Sequence, residues 1–213
     1  MITHVLFDFD GTIMDTNDLI VEALRAAAVK FRGKDIGEKE LDKILGKPLA
    51  IQMHELDPNH AEEMDAYYRS YYRERRDEYT KEFEGIRDML DSLYGLGLKM
   101  GIVSNKGTAG IMHGLTSFDM HKYFGATVSV DDVVKRKPDP EGIFKALNEL
   151  DGKPENSLFI GDSGHDIESG KRAGTQTILV GWTILDMENL KKTCPNHIVE
   201  KPSDIVDIVK SMM

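Results

Sequence analysis

Four short polar clusters stand out for the chemistry their side chains could do. The first is Asp8-Phe9-Asp10-Gly11-Thr12. Two carboxylates at i and i+2 fall on one side of an extended chain, and like charges at that spacing repel unless a cation sits between them. Gly11 permits a tight turn with close approach of a ligand, and Thr12 adds a hydroxyl and an N–H. Together these residues offer a nucleophile, a proton donor and a cradle for an anion. The second cluster is Ser104-Asn105, just before a Gly-containing turn. A hydroxyl and free N–H groups at a helix start suit a phosphate. The third is Lys137-Pro138-Asp139-Pro140. Its prolines restrict the approach of the chain, and Lys137 supplies a compact cation for a phosphoryl oxygen. The fourth is Gly161-Asp162-Ser163 with Asp166 one helical turn on. Carboxylate oxygens spaced this way suit Mg²⁺, which takes a few carboxylates plus water and phosphate. Taken singly, each cluster also has a plainer reading. These are a capped turn with solvated acids, Ser104 as a helix N-cap, a solvated lysine, and Asp162 as an N-cap with Asp166 favouring the helix dipole.

The elements that must position these residues are legible in the apolar pattern. Residues 3–9, 98–103, 126–130, 157–161 and 176–180 are short runs rich in Val, Ile, Leu or Phe, and read as strands. Helical patterns fall near 85–95, 107–116, 139–149, 165–173 and 203–211. Strands alternating with helices imply a parallel sheet covered on both faces, hence an α/β fold. In such sheets ligands bind outside the carboxyl ends of the strands, where all four clusters lie.

Residues 15–82 break the alternation and read as three or four helices. Of these 68 residues 28 are charged, against 36 of the other 145. The segment is too long for an ordinary connection, and its composition marks a solvated helical module inserted into the α/β domain. The expected division is therefore 1–14 with 83–213, and 15–82.

The whole chain has 213 residues and a formal net charge of −10. That balance argues against nucleic acid or an anionic membrane as partner, while a small anionic substrate needs only local cations. One cysteine, Cys194, excludes an internal disulfide framework and a cysteine metal cluster and fits a reducing, cytoplasmic setting. The first residues carry no basic segment followed by a long apolar run, so no signal peptide is read there. No apolar stretch is long enough to span a bilayer.

The motifs DFDGT, SN, KPDP and GDSGHD, each after a strand and in this order, resemble the four motifs of the haloacid dehalogenase-like (HAD) superfamily. The resemblance covers the whole chain and implies a doubly wound, Rossmann-like parallel core with an inserted all-helical cap. It implies that Asp8 is the nucleophile, forming an aspartyl-phosphate, and that Asp10 is the general acid and then the base. It places Mg²⁺ on the Asp8 carboxylate, the Asp10 carbonyl and Asp162, with Asp166 orienting metal-bound water. Gly11, Thr12, Ser104, Asn105 and Lys137 would hold the phosphoryl group.

The same residues separate branches of the superfamily. Its dehalogenases lack the second aspartate, so Asp10 opposes that branch. Thr12 favours a phosphatase over a β-phosphoglucomutase-like phosphotransferase, and Lys47 is offset from the Schiff-base lysine of phosphonoacetaldehyde hydrolases. Residues 15–20, 130–133, 137–141 and 181–183 resemble bacterial inorganic pyrophosphatases of the superfamily, with phosphoglycolate phosphatases as the nearest competitor. Pyrophosphate or another small phosphorylated metabolite is the expected partner. Lys47, and Arg69, Arg73 and Arg76 at i, i+4 and i+7, are candidates for leaving-group recognition, though a solvated charged face is the plainer and favoured reading. A non-enzymatic phospho-Asp switch is opposed by an acceptor on the first strand followed directly by a long insert.

Overall fold

Short β-branched and aromatic runs build a six-stranded parallel sheet in the computed structural model, which describes residues 1–213. The strands are β1 (His4–Phe7), β2 (Lys99–Val103), β3 (Phe124–Val128), β4 (Ser157–Gly161), β5 (Gln176–Val180) and β6 (His197–Val199). Their order is β3-β2-β1-β4-β5-β6. The chain winds outward from the centre in both directions, which leaves a crevice at the carboxyl ends of the central strands. Register is held to the last residues: Asp8 N–H donates to the Ile160 carbonyl at 2.8 Å, and Ser104 N–H to that of Val128 at 3.0 Å.

Alternate residues along the strands feed two cores, as the pleat requires. Val5, Phe7, Leu158 and Ile160 pack with Ile86, Leu90, Ile111, Ile205 and Val209 on one face. Leu6, Phe159, Val103 and Val128 pack with Ile143, Ala146 and Leu147 on the other. The α/β unit comprises Met1–Asp15 and Glu82–Met213, and a second compact unit comprises Thr16–Lys81.

That second unit is four helices, α1 (Asn17–Arg32), α2 (Glu38–Ile44), α3 (Leu49–Leu56) and α4 (Ala61–Tyr79). Leu24, Ala27, Ala28, Met53, Leu56 and Met64 give it a core of its own. The helices of the α/β unit are α5 (Ile86–Gly95), α6 (Thr108–Ser117), α7 (Glu141–Glu149), α8 (Gly164–Ala173), α9 (Met187–Lys191) and α10 (Pro202–Met212). The strand expected at 126–130 lies two residues earlier. Ser129 leaves the ladder because its hydroxyl caps the turn that follows, accepting from Asp131 N–H at 3.2 Å. Among the elements named, α9 and β6 have no counterpart in the sequence reading, nor has the small two-stranded sheet of Met14–Asp15 with Lys81–Glu82; all are too short to show a period. No helix is long and apolar enough to cross a membrane.

Candidate active site

The four clusters meet at the carboxyl end of the sheet. Asp8 follows β1, Ser104 follows β2 and Asp162 follows β4. Lys137 arrives on the loop before α7 and Asp166 on the first turn of α8. Lys137 is nearly buried, and its Nζ lies 2.8 Å from Asp8 Oδ1 and 2.5 Å from Asp166 Oδ1. The contact with Asp8 is a close ion pair. The contact with Asp166 is a hydrogen bond. Asn105 locks this lysine to the second cluster: its Oδ1 accepts from Lys137 N–H at 3.0 Å, and its Nδ2 donates to the Lys137 carbonyl at 3.2 Å.

Carboxyl oxygens of Asp8, Asp162 and Asp166 all lie within 4.8 Å of one another. Burial pushes the Asp8 carboxyl up to about 6 from 3.8; Lys137 opposes the rise and Asp166 adds to it. Burial, with Asp166 and Asp8 as like charges, raises the Asp162 carboxyl well above its ordinary value. Burial alone would lower the Lys137 ammonium, but Asp166 and Asp8 outweigh it, and its pKa is raised. Three buried carboxylates against one ammonium leave an excess of negative charge. Hard oxygen donors with that excess fit a small divalent cation.

Gly11 makes the close approach possible. It sits at φ +74°, and a Cβ there would lie 2.4 Å from Asp162 Oδ2. Thr12 Oγ1 is buried without a hydrogen-bond partner, a costly state for a polar group unless a ligand meets it. Ser104, also buried, accepts from Lys106 N–H at 3.3 Å through its hydroxyl oxygen and stands beside Asp8.

Some expectations need correction. The N-cap of α6 is Gly107, so Ser104 is not a helix cap. The N-cap of α8 is Ser163, so Asp162 is not one either. Ser163 N–H and Oγ both donate to Asp166 Oδ2, at 3.0 and 2.6 Å, while its other oxygen holds Lys137. Asp166 thus ties the helix start to the lysine. Each of the two acids of the first cluster meets its own lysine: Asp8 meets Lys137, and Asp10 is held by Lys106, whose Nζ donates to its two oxygens at 2.8 and 2.9 Å.

Lys106 has no role in the sequence reading, although it directly follows Ser104-Asn105; Trp182 and Thr183 enter it only through the 181–183 resemblance. Thr183 Oγ1 donates to Asp162 Oδ2 at 3.0 Å, and Trp182 Nε1 donates to the Thr12 carbonyl at 3.2 Å. Their position just after β5, at the same sheet edge, was the available signal.

Within the helical unit, Lys47 Nζ pairs with Glu55 and Arg69 with Asp65 on its own helix. Arg73 is exposed; Arg76 lies 3.7 Å from Asp77, and its Nε is buried without a hydrogen-bond partner. Exposed pairs of this kind are weak, about 0–1 kcal/mol.

A model of the haloacid dehalogenase-like hydrolases matches residues 5–180. The chain belongs to that family. It is a hydrolase with the family's α/β fold. It is 39% identical over 210 residues to Pyrophosphatase PpaX of Listeria welshimeri, covering 98% of this chain and 97% of that protein. Pyrophosphatase PpaX of Anoxybacillus flavithermus is 36% identical over 208 residues, covering 98% and 97%. A solved structure from Lactobacillus plantarum, provisionally named a phosphoglycolate phosphatase, superposes with a TM-score of 0.85 at 26% identity. It covers 97% of this chain and 99% of that one.

Proposed function

We propose that this HAD-like hydrolase is a Mg²⁺-dependent phosphohydrolase acting through an aspartyl-phosphate, with inorganic pyrophosphate as its substrate. The observation that carries the reading is Asp8: a buried carboxylate at the end of β1, 2.8 Å from the Lys137 ammonium and grouped with Asp162 and Asp166. Asp8 attacks phosphorus while the bond to the leaving oxygen breaks. Asp10 gives a proton to that oxygen, then takes one from the water that cleaves the acyl-phosphate. Thr12 and Ser104 hydroxyls, the Asn105 N–H and Lys137 hold the phosphoryl oxygens in this scheme. The metal would be held by Asp8, Asp162 and the Asp10 carbonyl, with Asp166 beside it. When bound, it neutralises charge between nucleophile and phosphate.

The choice of pyrophosphate rests on the likeness to the PpaX pyrophosphatases. Phosphoglycolate or another small phosphomonoester is the second reading, favoured by the Lactobacillus plantarum structure. We take residues 15–82 as the cap, with Lys47, Arg69, Arg73 and Arg76 as its candidate cations. The deciding experiment compares kcat/KM for pyrophosphate, phosphoglycolate, sugar phosphates and nucleotides, with and without Mg²⁺. The expected outcome is a preference for pyrophosphate, full metal dependence, and loss of activity in Asp8→Asn. Higher kcat/KM for phosphoglycolate would select the second reading, and unchanged turnover in Asp8→Asn would overturn the mechanism.

A further inference from the structure

Lys106 is not a loose surface lysine. Its backbone is held on both sides: its carbonyl accepts from Val130 N–H at 3.1 Å, and its N–H donates to Ser104 Oγ at 3.3 Å. Its side chain is 15% exposed and reaches the Asp10 carboxylate, touching both oxygens. The path of its stem is cut into α6. A Cβ at Gly110 would lie 2.7 Å from Lys106 Cε and 3.2 Å from its Cδ and Cγ. One turn on, a Cβ at Gly114 would lie 2.6 Å from Phe9 Cζ. The missing side chains at 110 and 114 leave a groove in which the lysine stem and the Phe9 ring lie together, with the ammonium 5.8 Å from the ring centroid.

We infer that Lys106 is a positioning residue for Asp10 and that Gly110 is the notch that seats it. The inference rests on the reading that Asp10 protonates the leaving group. A carboxyl delivers a proton well only from a fixed place, and a displacement of about 1 Å can cost about 100-fold in rate. Asp10 stands in a tight turn, its side chain one-quarter exposed, where water would otherwise let it swing. A two-oxygen contact with one ammonium restricts that rotation. Lys106 keeps its own protons throughout: Asp10 takes a proton from solvent on one oxygen while the other stays on Lys106, and passes that proton to the leaving oxygen as the P–O bond breaks. The arrangement also gives nucleophile and acid separate lysines, Lys137 and Lys106, so one can be perturbed without the other.

The test measures kcat/KM, which reports steps up to formation of the aspartyl-phosphate, over phosphate esters from nitrophenyl to alkyl and for pyrophosphate. The variants are Lys106→Met, Gly110→Ala, their double, and Asp10→Asn. Lys106→Met is expected to lose about 10-fold or more on alkyl phosphates and under about threefold on nitrophenyl phosphate, since only poor leaving groups need the proton. Gly110→Ala is expected to show the same selectivity with an unchanged or raised Tm, because alanine favours a helix and the displaced group is a flexible stem. The double variant should lose no more than the worse single. Equal losses across the ester series in Lys106→Met and Gly110→Ala, with a selective Asp10→Asn, would overturn the positioning role alone. So would a rise in KM confined to pyrophosphate, which would make Lys106 a leaving-group cation. Equal losses in Asp10→Asn itself would instead overturn the reading of Asp10 as the acid.

Discussion

Lys137→Met removes the one cation from the buried acid cluster and keeps much of its volume. Lys137 touches Asp8 at 2.8 Å and Asp166 at 2.5 Å, and its side chain is 5% exposed. Deleting one partner of a buried ion pair costs about 3–5 kcal/mol, because the other charge is left unpaired. For a chain of this length each kcal/mol is worth about 2–4 °C in Tm, so the metal-free variant should melt about 6–20 °C below the parent. The cost has a direction in pH. Asp8 titrates near 6 in the fold against 3.8 for an ordinary Asp. Between those values the unfolded chain sheds its proton first, so folding stability falls as pH rises, by about 3 kcal/mol for this group once above 7. Lys137 limits that fall, and without it Asp8 moves higher still. The variant's deficit should therefore be small at pH 5, where Asp8 keeps its proton in the fold, and largest at pH 8. Thermal unfolding followed by circular dichroism, in EDTA at both pH values, reads this out; added Mg²⁺ should return part of the loss at pH 8. A deficit under about 1 kcal/mol, or one equal at pH 5 and pH 8, would refute the account of Lys137 as the counter-charge of this cluster.

Three other outcomes follow from single contacts. Gly11→Ala must place a Cβ at φ +74° and 2.4 Å from Asp162 Oδ2; it should cost about 1–2 kcal/mol from the backbone alone and weaken Mg²⁺ binding, measured by melting and by metal titration. Thr183→Val removes the donor to Asp162 Oδ2 and should raise the Mg²⁺ concentration for half-activity about 10–100-fold, with kcat at saturating metal little changed. Mg²⁺ affinity should fall by at least about tenfold per pH unit below 6, because protons must leave Asp8 and Asp162 first. Trp182, the one tryptophan, is bonded to the Thr12 carbonyl and gives a fluorescence readout; pH-independent affinity would contradict the raised Asp8 pKa.

The positions of the site residues were legible because strand ends and motif ends coincide. Val5, Leu6 and Phe7 declare a buried strand, and the first carboxylate after them must stand at the sheet edge. The partners of those residues were not legible, for partnership depends on loops. The i, i+2 spacing of Asp8 and Asp10 asks for a cation near both, yet the chain turns between them and each meets its own lysine. Lys106 lies 96 residues from Asp10, and nothing in Ser104-Asn105-Lys106 shows where a flexible stem will run. The deciding mark is an absence, the missing side chain at Gly110, which in sequence reads only as a poor helix former. Ser104 and Asp162 were each open to an N-cap reading because both precede helices; Gly107 and Ser163, nearer the first turns, take that position instead.

The two lysines change the electrostatic account of the site. With Asp10 matched by Lys106, the charge left for a metal is that of Asp8, Asp162 and Asp166 against Lys137. Three carboxylates and one ammonium leave two negative charges when all are ionised, which is what one divalent cation cancels. A phosphoryl dianion entering first would meet that excess in a buried setting, where screening by water is weakest. Metal before substrate is therefore the order the charges favour. The acidic balance of the whole chain plays no part in this, because the fields that matter act over a few ångströms inside the crevice, while the surface charges are screened beyond about 8–10 Å. What the net charge does oppose is a polyanionic partner, and a small phosphate with its cation is spared that opposition.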